Sequence, residues 1–411
     1  MISINVERLM KRMMDMSQIG AIDGGGVCRL ALTDEDQQSR ELFKVWMQEA
    51  GLEITIDEIG NMFGRTPHAS SLDPIVIGSH LDTVGTGGKY DGSLGVLAAL
   101  EVIDTIKDRG LTLERPIMLA NFTNEEGVRF VPDMMGSFAL KQPEVLQSLL
   151  DAKAMDDNSK TVGSELSRIG YKGAQKLEHF KAHAFIELHI EQGPILEHEK
   201  QQIGIVEKVQ GISWTELIIN GVANHAGTTP MSMRKDAGFV ASSINYFVRK
   251  MALEMGDSQV ATVGITEFEP NLINVVPQRV RMTVDLRNTD ETKLVEAEER
   301  LLQYVNELIH SEGVSIESKR LVRFQPVDFD PQMILLGETV ANELGYSNRR
   351  MYSGAGHDAQ MMAALCPSTM IFIPSKDGIS HNVNEYSTPE DIEAGANVLL
   401  NMVLQLAGHV N

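Results

Sequence analysis

Histidines and carboxylates recur in this chain just after short apolar runs, where a strand would deliver them to a ligand site. The first case is Gly78-Ser79-His80-Leu81-Asp82-Thr83-Val84, which overlaps the run Pro74 to Gly78 (PIVIG). That run has the pattern of a strand buried on both faces. His80 and Asp82 are two residues apart, so an extended backbone puts both side chains on one side. A metal-bound imidazole usually takes a carboxylate on its other ring nitrogen, which sets the tautomer and raises basicity. The same H-x-D spacing also suits a hydrogen-bonded loop pair with no ion, so alone it decides nothing.

The neighbouring segments add weight. Gly85 to Gly95 (GTGGKYDGSLG) is a glycine-dense turn with Asp91 at its centre and a helix beyond it. Glycines allow the backbone angles that could aim Asp91 inward. A phosphate-binding loop is the rival reading, but neither a Walker pattern nor G-x-G-x-x-G follows the strand, and a buried Asp would repel phosphate. Asn121 to Phe130 (NFTNEEGVRF) follows a second apolar strand and carries Glu125 and Glu126. An exposed Glu pair is ordinarily solvated. Between a buried strand and a glycine, the pair reads as one metal ligand and one general base. Hydrolysis needs both, since a bound ion brings the pKa of water to about 7 and a nearby carboxylate takes the proton.

His189, in Ile186 to Pro194 (IELHIEQGP), and His381, in Ile371 to Glu385 (IFIPSKDGISHNVNE), end strands in the same way. Either alone would suit a satisfied core or loop histidine. Taken together, His80, Asp91, Glu126, His189 and His381 would give each of two divalent ions a histidine and a carboxylate, with one carboxylate bridging. Mixed imidazole and carboxylate ligation suits Zn, Mn, Co or Ni better than Mg or Ca. A further polar group lies in Gly221 to Ala237 (GVANHAGTTPMSMRKDA), with His225 on a turn that leads into a helix. Asn274 and Arg287 stand at other strand edges. Arg287 is equally suited to forking a substrate carboxylate and to an ordinary surface ion pair.

These residues need a scaffold, and the periodicity supplies one. Helices are expected from after Thr33 to Ala50 and from Ser93 to Lys107, with strands at Pro74 to Gly78, Pro116 to Phe122 and Ala184 to Ile190. The alternation argues for an α/β domain, a mixed, mostly parallel sheet covered by helices. From Ile212 to Phe329 the rhythm changes to strand Trp214 to Asn220, helix Ser232 to Met255, strands Gln259 to Phe268 and Arg279 to Arg287, helix Asp290 to His310, and strand Val314 to Phe324. This βαββαβ order is that of a ferredoxin-like α+β unit. The α/β rhythm then resumes with a helix near Gln332 to Leu344, a strand at Thr369 to Ile373 and a helix from Glu390 to Leu406. The expected organisation is a catalytic domain over 1–211 and 330–411, interrupted by an inserted domain over 212–329.

The bulk properties narrow the class. At 411 residues the chain exceeds one hydrophobic core. A formal net charge of −21 argues against a nucleic-acid partner, and no apolar stretch is long enough to span a bilayer. Residues 1–20 read as an amphipathic helix with Val6, Leu9, Met10, Met13 and Met14 on one face, not as a signal peptide. The two cysteines, Cys28 and Cys366, show no metal-knuckle or redox spacing and suit a reducing compartment. A soluble, cytoplasmic protein is expected.

The motifs, in chain order, are GSHLDTVGTGGKYDG, NEEGVRF, ELHIEQGP, NHAGTTPM, INVVP, DLR, GAGHDA and GISHN. Across nearly the whole chain they resemble the dinuclear-metal aminoacylase and carboxypeptidase superfamily. Within it they are most similar to the hydantoinase/carbamoylase branch of N-carbamoyl-L-amino acid hydrolases, allantoate amidohydrolases and β-ureidopropionases. The resemblance implies that His80, Asp91, Glu126, His189 and His381 are metal ligands with Asp91 bridging, Asp82 the partner of His80, and Glu125 the general base. It implies that His225 reaches across a dimer interface to polarise the scissile carbonyl, that Gln192, Asn274 and Arg287 hold the substrate carboxylate, and that His357 lies near the substrate. A homodimer through the inserted domain follows, as does hydrolysis of a small ureido carboxylate. The DLR and GGKYDGSLG segments favour an N-carbamoyl-L-amino acid, and GHDAQ and IFIPS favour allantoate. An inactive metal-binding scaffold would be expected to have lost Glu125 or a ligand, and neither is lost.

Overall fold

The computed structural model describes residues 2–256 and 258–409. The chain divides into two compact units, one of residues 1–207 and 328–411, the other of residues 208–327.

The first unit is built on a mixed sheet. Its strands are β1 (Glu53–Ile56), β2 (Met62–Arg65), β3 (Ile75–His80), β4 (Ile117–Phe122), β5 (Ala184–Ile190) and β6 (Ile203–Val209), joined after the second unit by β13 (Val327–Asp328), β14 (Asn348–Ser353) and β15 (Ser368–Ile373). The order is β1-β2-β4-β3-β5-β15-β6-β13, with β14 beside β6. The four central strands, β4-β3-β5-β15, are mutually parallel, and antiparallel pairs flank them. Every residue of β3, β4, β5 and β15 is buried, which explains why these segments read as continuous apolar runs. The helices Ser93–Asp108 and Pro389–Leu406 pack on them. Register matters for the site. His80 pairs with Phe122 and His189 with Phe372, so the carboxyl ends of four parallel strands open onto the same edge. Close approach is enforced at Gly78, where a Cβ would stand 2.0 Å from the Ala120 carbonyl oxygen.

Helix limits follow capping chemistry. Thr33 caps Asp34–Ala50 and Gly51 ends it in the left-handed region. The N-terminal helix is shorter than the periodicity suggests, Val6–Met16 with Asn5 as cap. Its buried residues are Leu9, Met13 and Met16, while Met14, expected on the same face, is exposed. Among the described residues no helix is long and apolar enough to cross a membrane.

The second unit holds β7 (Gly211–Asn220), β8 (Asn224–His225), β9 (Val260–Glu269), β10 (Val275–Val276), β11 (Arg279–Asn288) and β12 (Ser315–Phe324). Strands β12-β7-β11-β9 form a wholly antiparallel sheet, and β8 pairs β10 separately. Burial alternates along β11, so one face is apolar. Helices Ala237–Met255 and Glu291–Glu312 cover that face through Val240, Ile244, Val248, Leu294, Leu301 and Val305. The first of these helices begins at Ala237, not at Ser232. Asp236 supplies the cap by accepting from the N–H groups of Gly238 and Phe239, and Met231–Met233 is a separate 3₁₀ turn after Pro230.

Candidate metal centre

The strand ends place three imidazoles around one carboxylate. The His80 Nδ1 donates to the main-chain carbonyl of Asp82 at 2.9 Å, and the His189 Nδ1 donates to that of Ile190 at 2.9 Å. Both rings are therefore fixed with Nε2 turned the other way. His80 Nε2 lies 3.6 Å from Asp91 Oδ1 and 3.3 Å from Glu125 Oε2, and His189 Nε2 lies 3.2 Å from Asp91 Oδ1. The other oxygen of Asp91, Oδ2, is 3.4 Å from His381 Nε2, which is itself 3.4 Å from Glu126 Oε2. Two groups able to hold a metal ion result, His80/Asp91/His189 and Asp91/Glu126/His381, and Asp91 belongs to both.

The loops that carry these groups are held in place from behind. Gly92 follows Asp91 with φ +60°, and a Cβ there would fall 2.4 Å from the His80 ring. Glu385 accepts from the N–H groups of Tyr90 and Asp91, each at 3.1 Å, and from the Ser380 hydroxyl at 2.9 Å, tying the Asp91 turn to the His381 loop. Asn124, Gln192 and His381 all have positive φ, backbone strain of the kind that gathers at functional sites. The carboxylate of Asp82 does not reach the His80 ring, standing 4.0 Å from Nδ1; it accepts from the N–H groups of Glu125 at 3.2 Å and Glu126 at 3.3 Å.

The electrostatics call for a cation. Asp91, Glu125 and Glu126 converge while almost wholly buried, and the partners they pair with are imidazoles. Burial, followed by repulsion from Asp358 and Glu126, pushes the Glu125 carboxyl well above the usual range; burial followed by Asp91 and Asp82 does the same to Glu126. Burial also opposes ionisation of Asp91, but His189 and His381 outweigh it and hold Asp91 well below its ordinary value. Burial lowers His80 to about 4. For His189 the contacts to Asp91 overcome burial and raise it to about 9. His80 Nε2 and Glu126 Oε1 are buried without a hydrogen bond. An imidazole nitrogen and a carboxylate oxygen left without a donor in the midst of this cluster fit a divalent ion of the Zn or Mn type.

Two more of the expected residues join this cluster. Gln192 Nε2 donates to Asp91 Oδ2 at 2.8 Å. The His357 ring is buried with its centroid 4.5 Å from that of His189, and its Nε2 has no hydrogen bond. Beneath them lie two carboxylates that the sequence motifs do not single out, Glu187 and Asp358. Glu187 accepts from the Ser79 hydroxyl at 2.6 Å and from the Ala359 N–H at 2.9 Å, and forms a third potential metal-holding group with His189 and His357. Asp358 accepts from the Ser137 hydroxyl at 2.6 Å. Glu187 precedes His189 by the same two-residue step that relates His80 to Asp82, so its signal was present in the strand.

The remaining candidates lie in the second unit. His225 is exposed on β8, with Nδ1 accepting from the N–H groups of Gly227 and Thr228. Asn274 is beside it, its carbonyl accepting from the Ala226 N–H at 2.9 Å. Arg287 is near the far end of β11 and forms a forked pair with Asp285, at 3.1 Å from Nε and 2.9 Å from Nη2.

Known proteins share both sequence and fold. The chain is 42% identical over 408 residues to an N-carbamoyl-L-amino-acid amidohydrolase of Rhizobium meliloti, covering 98% of this chain and 97% of that one. It is 36% identical over 398 residues to an allantoate amidohydrolase of Escherichia coli, covering 95% and 96%. The crystal structure of a hydantoinase/carbamoylase family amidase from Burkholderia multivorans superposes with a TM-score of 0.94 at 43% identity, covering 99% of this chain and 98% of that one. The model of Peptidase family M20/M25/M40 matches residues 76–405, and with strand ends, carboxylates and relatives in agreement, this chain belongs to that family.

Proposed function

We propose that the protein is a metal-dependent amidohydrolase that cleaves the ureido C–N bond of N-carbamoyl-L-amino acids, with two divalent ions per subunit. One observation carries the reading: Asp91 offers one oxygen to His80 and His189 and the other to the side of Glu126 and His381, while Glu125 stands 3.3 Å from His80. His80, Asp91 and His189 would hold one ion, and Asp91, Glu126 and His381 the other; Zn suits these donors, with Mn, Co and Ni as alternatives. When bound, the ions would acidify water and stabilise the charge that develops on the carbonyl oxygen. Glu125, raised by burial, is suited to take a proton from the attacking water and return it to the leaving nitrogen. Water adds to the ureido carbon, the bond to the amino-acid nitrogen breaks, and the released carbamate yields ammonia and carbon dioxide. Asp82 would hold the Glu125–Glu126 backbone in place. Gln192 and Arg287 would bind the substrate carboxylate, with His357 lining the site and Asn274, which lies beside His225, joining them from the other subunit.

His225 would polarise the carbonyl, acting in the site of a partner subunit. Support comes from the second unit taken alone. His225 pairs with Val275 before the Arg279 end of β11, and Arg287 lies eight residues along that strand, roughly 25 Å away at strand rise. A small substrate cannot touch both within one copy, so a homodimer through this unit is favoured. Phe239, Tyr246 and Leu253, spaced by seven on one helix, are exposed as such an interface requires. A cytoplasmic location suits the free thiols.

Allantoate is the second reading, favoured by the relative from Escherichia coli. The deciding test is ammonia release by Zn- or Mn-loaded protein from N-carbamoyl-L-methionine, allantoate and N-carbamoyl-β-alanine side by side. Preference for the first supports the proposal, preference for allantoate replaces the substrate, and no release from any, with metal bound, overturns it.

A further inference from the structure

A cavity of about 310 Å³ opens in the first unit far from the strand ends that carry the metal-holding groups. Asp73, Pro74 and Met118 line it, and these stand at the entry to β3 and the start of β4. His80 closes β3 five residues after Ile75, about 16 Å away at strand rise. Ligands of the catalytic reaction belong at the carboxyl ends of such strands, so catalysis does not account for a cavity at their amino ends.

Its lining has a definite chemistry. Phe63, Met118 and Phe180 make an apolar wall, with the two phenyl rings 5.4 Å apart. Arg65, on β2 two residues beyond Phe63, faces the same side of the sheet. Its guanidinium makes no hydrogen bond or ion pair among the described residues, and its Nε is buried. A buried guanidinium nitrogen without an acceptor is costly, and acidic surface is abundant in a chain of net charge −21. Exposed Lys181, also without an ion-pair partner among the described residues, adds a second cation to the lining. Of the two carboxyls in the lining, Asp57 is already engaged, accepting from the Asn61 side chain and from the N–H groups of Ile59 and Asn61, and Asp73 is exposed to solvent; Lys176 is paired with Glu58.

We infer that this cavity is a second binding site, separate from the metal centre, for a small organic anion that carries a carboxylate on an apolar or aromatic group. The carboxylate is held by Arg65 and the apolar part lies against Phe63, Met118 and Phe180. This inference does not depend on the proposed reaction.

Benzoate is the probe, benzamide its uncharged counterpart and acetate the acid without an apolar part. The full-length, Zn-loaded protein is labelled with ¹³C at its methionine methyls, and the Met118 resonance is assigned with Met118→Leu. Benzoate is expected to shift the Met118 signal saturably, with benzamide and acetate at least tenfold weaker. Arg65→Leu is expected to weaken benzoate about tenfold, the loss of one charge-assisted contact. Lys181→Ala, at an exposed position, is expected to weaken it by a smaller factor with the fold intact. An unmoved Met118 signal, equal binding of benzamide, or unchanged affinity in both variants would overturn the inference.

Discussion

The two oxygens of Asp82 accept the backbone N–H groups of Glu125 and Glu126, while the carbonyl of the same residue takes the His80 imidazole. One residue thus sets the orientation of a histidine with its main chain and the position of two carboxylates with its side chain. Asp82→Asn keeps the carbonyl but turns one acceptor into a donor that faces an N–H. Turnover is expected to fall about 10- to 100-fold, with weaker metal binding, as outer partners of metal ligands usually cost. Steady-state kinetics and metal content after dialysis measure this; a variant with normal kcat and full metal would remove Asp82 from the machinery.

Glu125 and Glu126 are neighbours with different surroundings, and their variants should separate. Glu125→Gln is expected to keep its metal and lose at least about a hundredfold in kcat, the usual share of a general base. Glu126→Gln is expected to lose metal, because Glu126 belongs to the Asp91/Glu126/His381 group. Metal analysis of the two purified variants settles the assignment; equal metal loss in both would reject it.

Gly92 offers a steric test. Both Gly92 and Gly110 have φ near +60°, so alanine is strained at either, and Gly92, with ψ of −49°, lies outside the left-handed helical region as well. Only at Gly92 does the new methyl meet something, the His80 ring at 2.4 Å; nothing lies within 4 Å at Gly110. Gly92→Ala should abolish activity and reduce metal retention, whereas Gly110→Ala should lose a few degrees of Tm and keep its activity. Similar behaviour of the two would mean that the His80 ring has room to move.

The metal centre should couple stability to pH. Glu125, Glu126 and Asp358 have folded values raised well above the ordinary ones, chiefly by burial. Their contribution is complete below the unfolded carboxylate range of about 4 and is lost as pH rises through the folded values. His189, raised to about 9, likewise contributes below about 6.5 and loses that contribution as pH rises towards 9. Asp91, held low, contributes fully above its unfolded value of about 4, so its contribution is the same at pH 6 and pH 8. His80 and His357, both lowered by burial, gain only up to about pH 7. Chelator-treated protein should therefore have a lower Tm at pH 8 than at pH 6, and added Zn should raise Tm more at pH 8, where fewer protons must be displaced. A Zn-induced gain that shrinks with rising pH would contradict this account.

Much of this centre was legible in the sequence because the parallel strands bury both faces. Continuous apolar runs marked β3, β4, β5 and β15, and His80, Glu126, His189 and His381 could be read as whatever followed them. Helix limits with strong caps, Thr33 or Gly51, were legible for the same local reason. What sequence could not supply was the partner of each polar group. Asp82 does meet the His80 imidazole, but through its main-chain carbonyl, while its carboxylate holds two backbone amides. Glu385 is far from Asp91 in the chain yet accepts its N–H, a contact made only by tertiary folding. The start of the helix at Ala237 was misplaced because Ser232 and Asp236 are both cap residues, and only the 3₁₀ turn after Pro230 chooses between them.

The separation of His225 from Arg287 leads to a complementation test. The two residues stand towards opposite ends of β11, and if they serve the centres of different chains, neither single variant can assemble a complete site. His225→Ala and Arg287→Ala homodimers should each be nearly inactive. When the two are unfolded, mixed in equal amounts and refolded with Zn, about half of the dimers should be mixed, and each of these has one site with both residues. Recovery of about a quarter of the wild-type specific activity is expected, together with a dimer mass by light scattering. No recovery from a mixture that demonstrably contains mixed dimers would place both residues in one chain's site and overturn the shared arrangement.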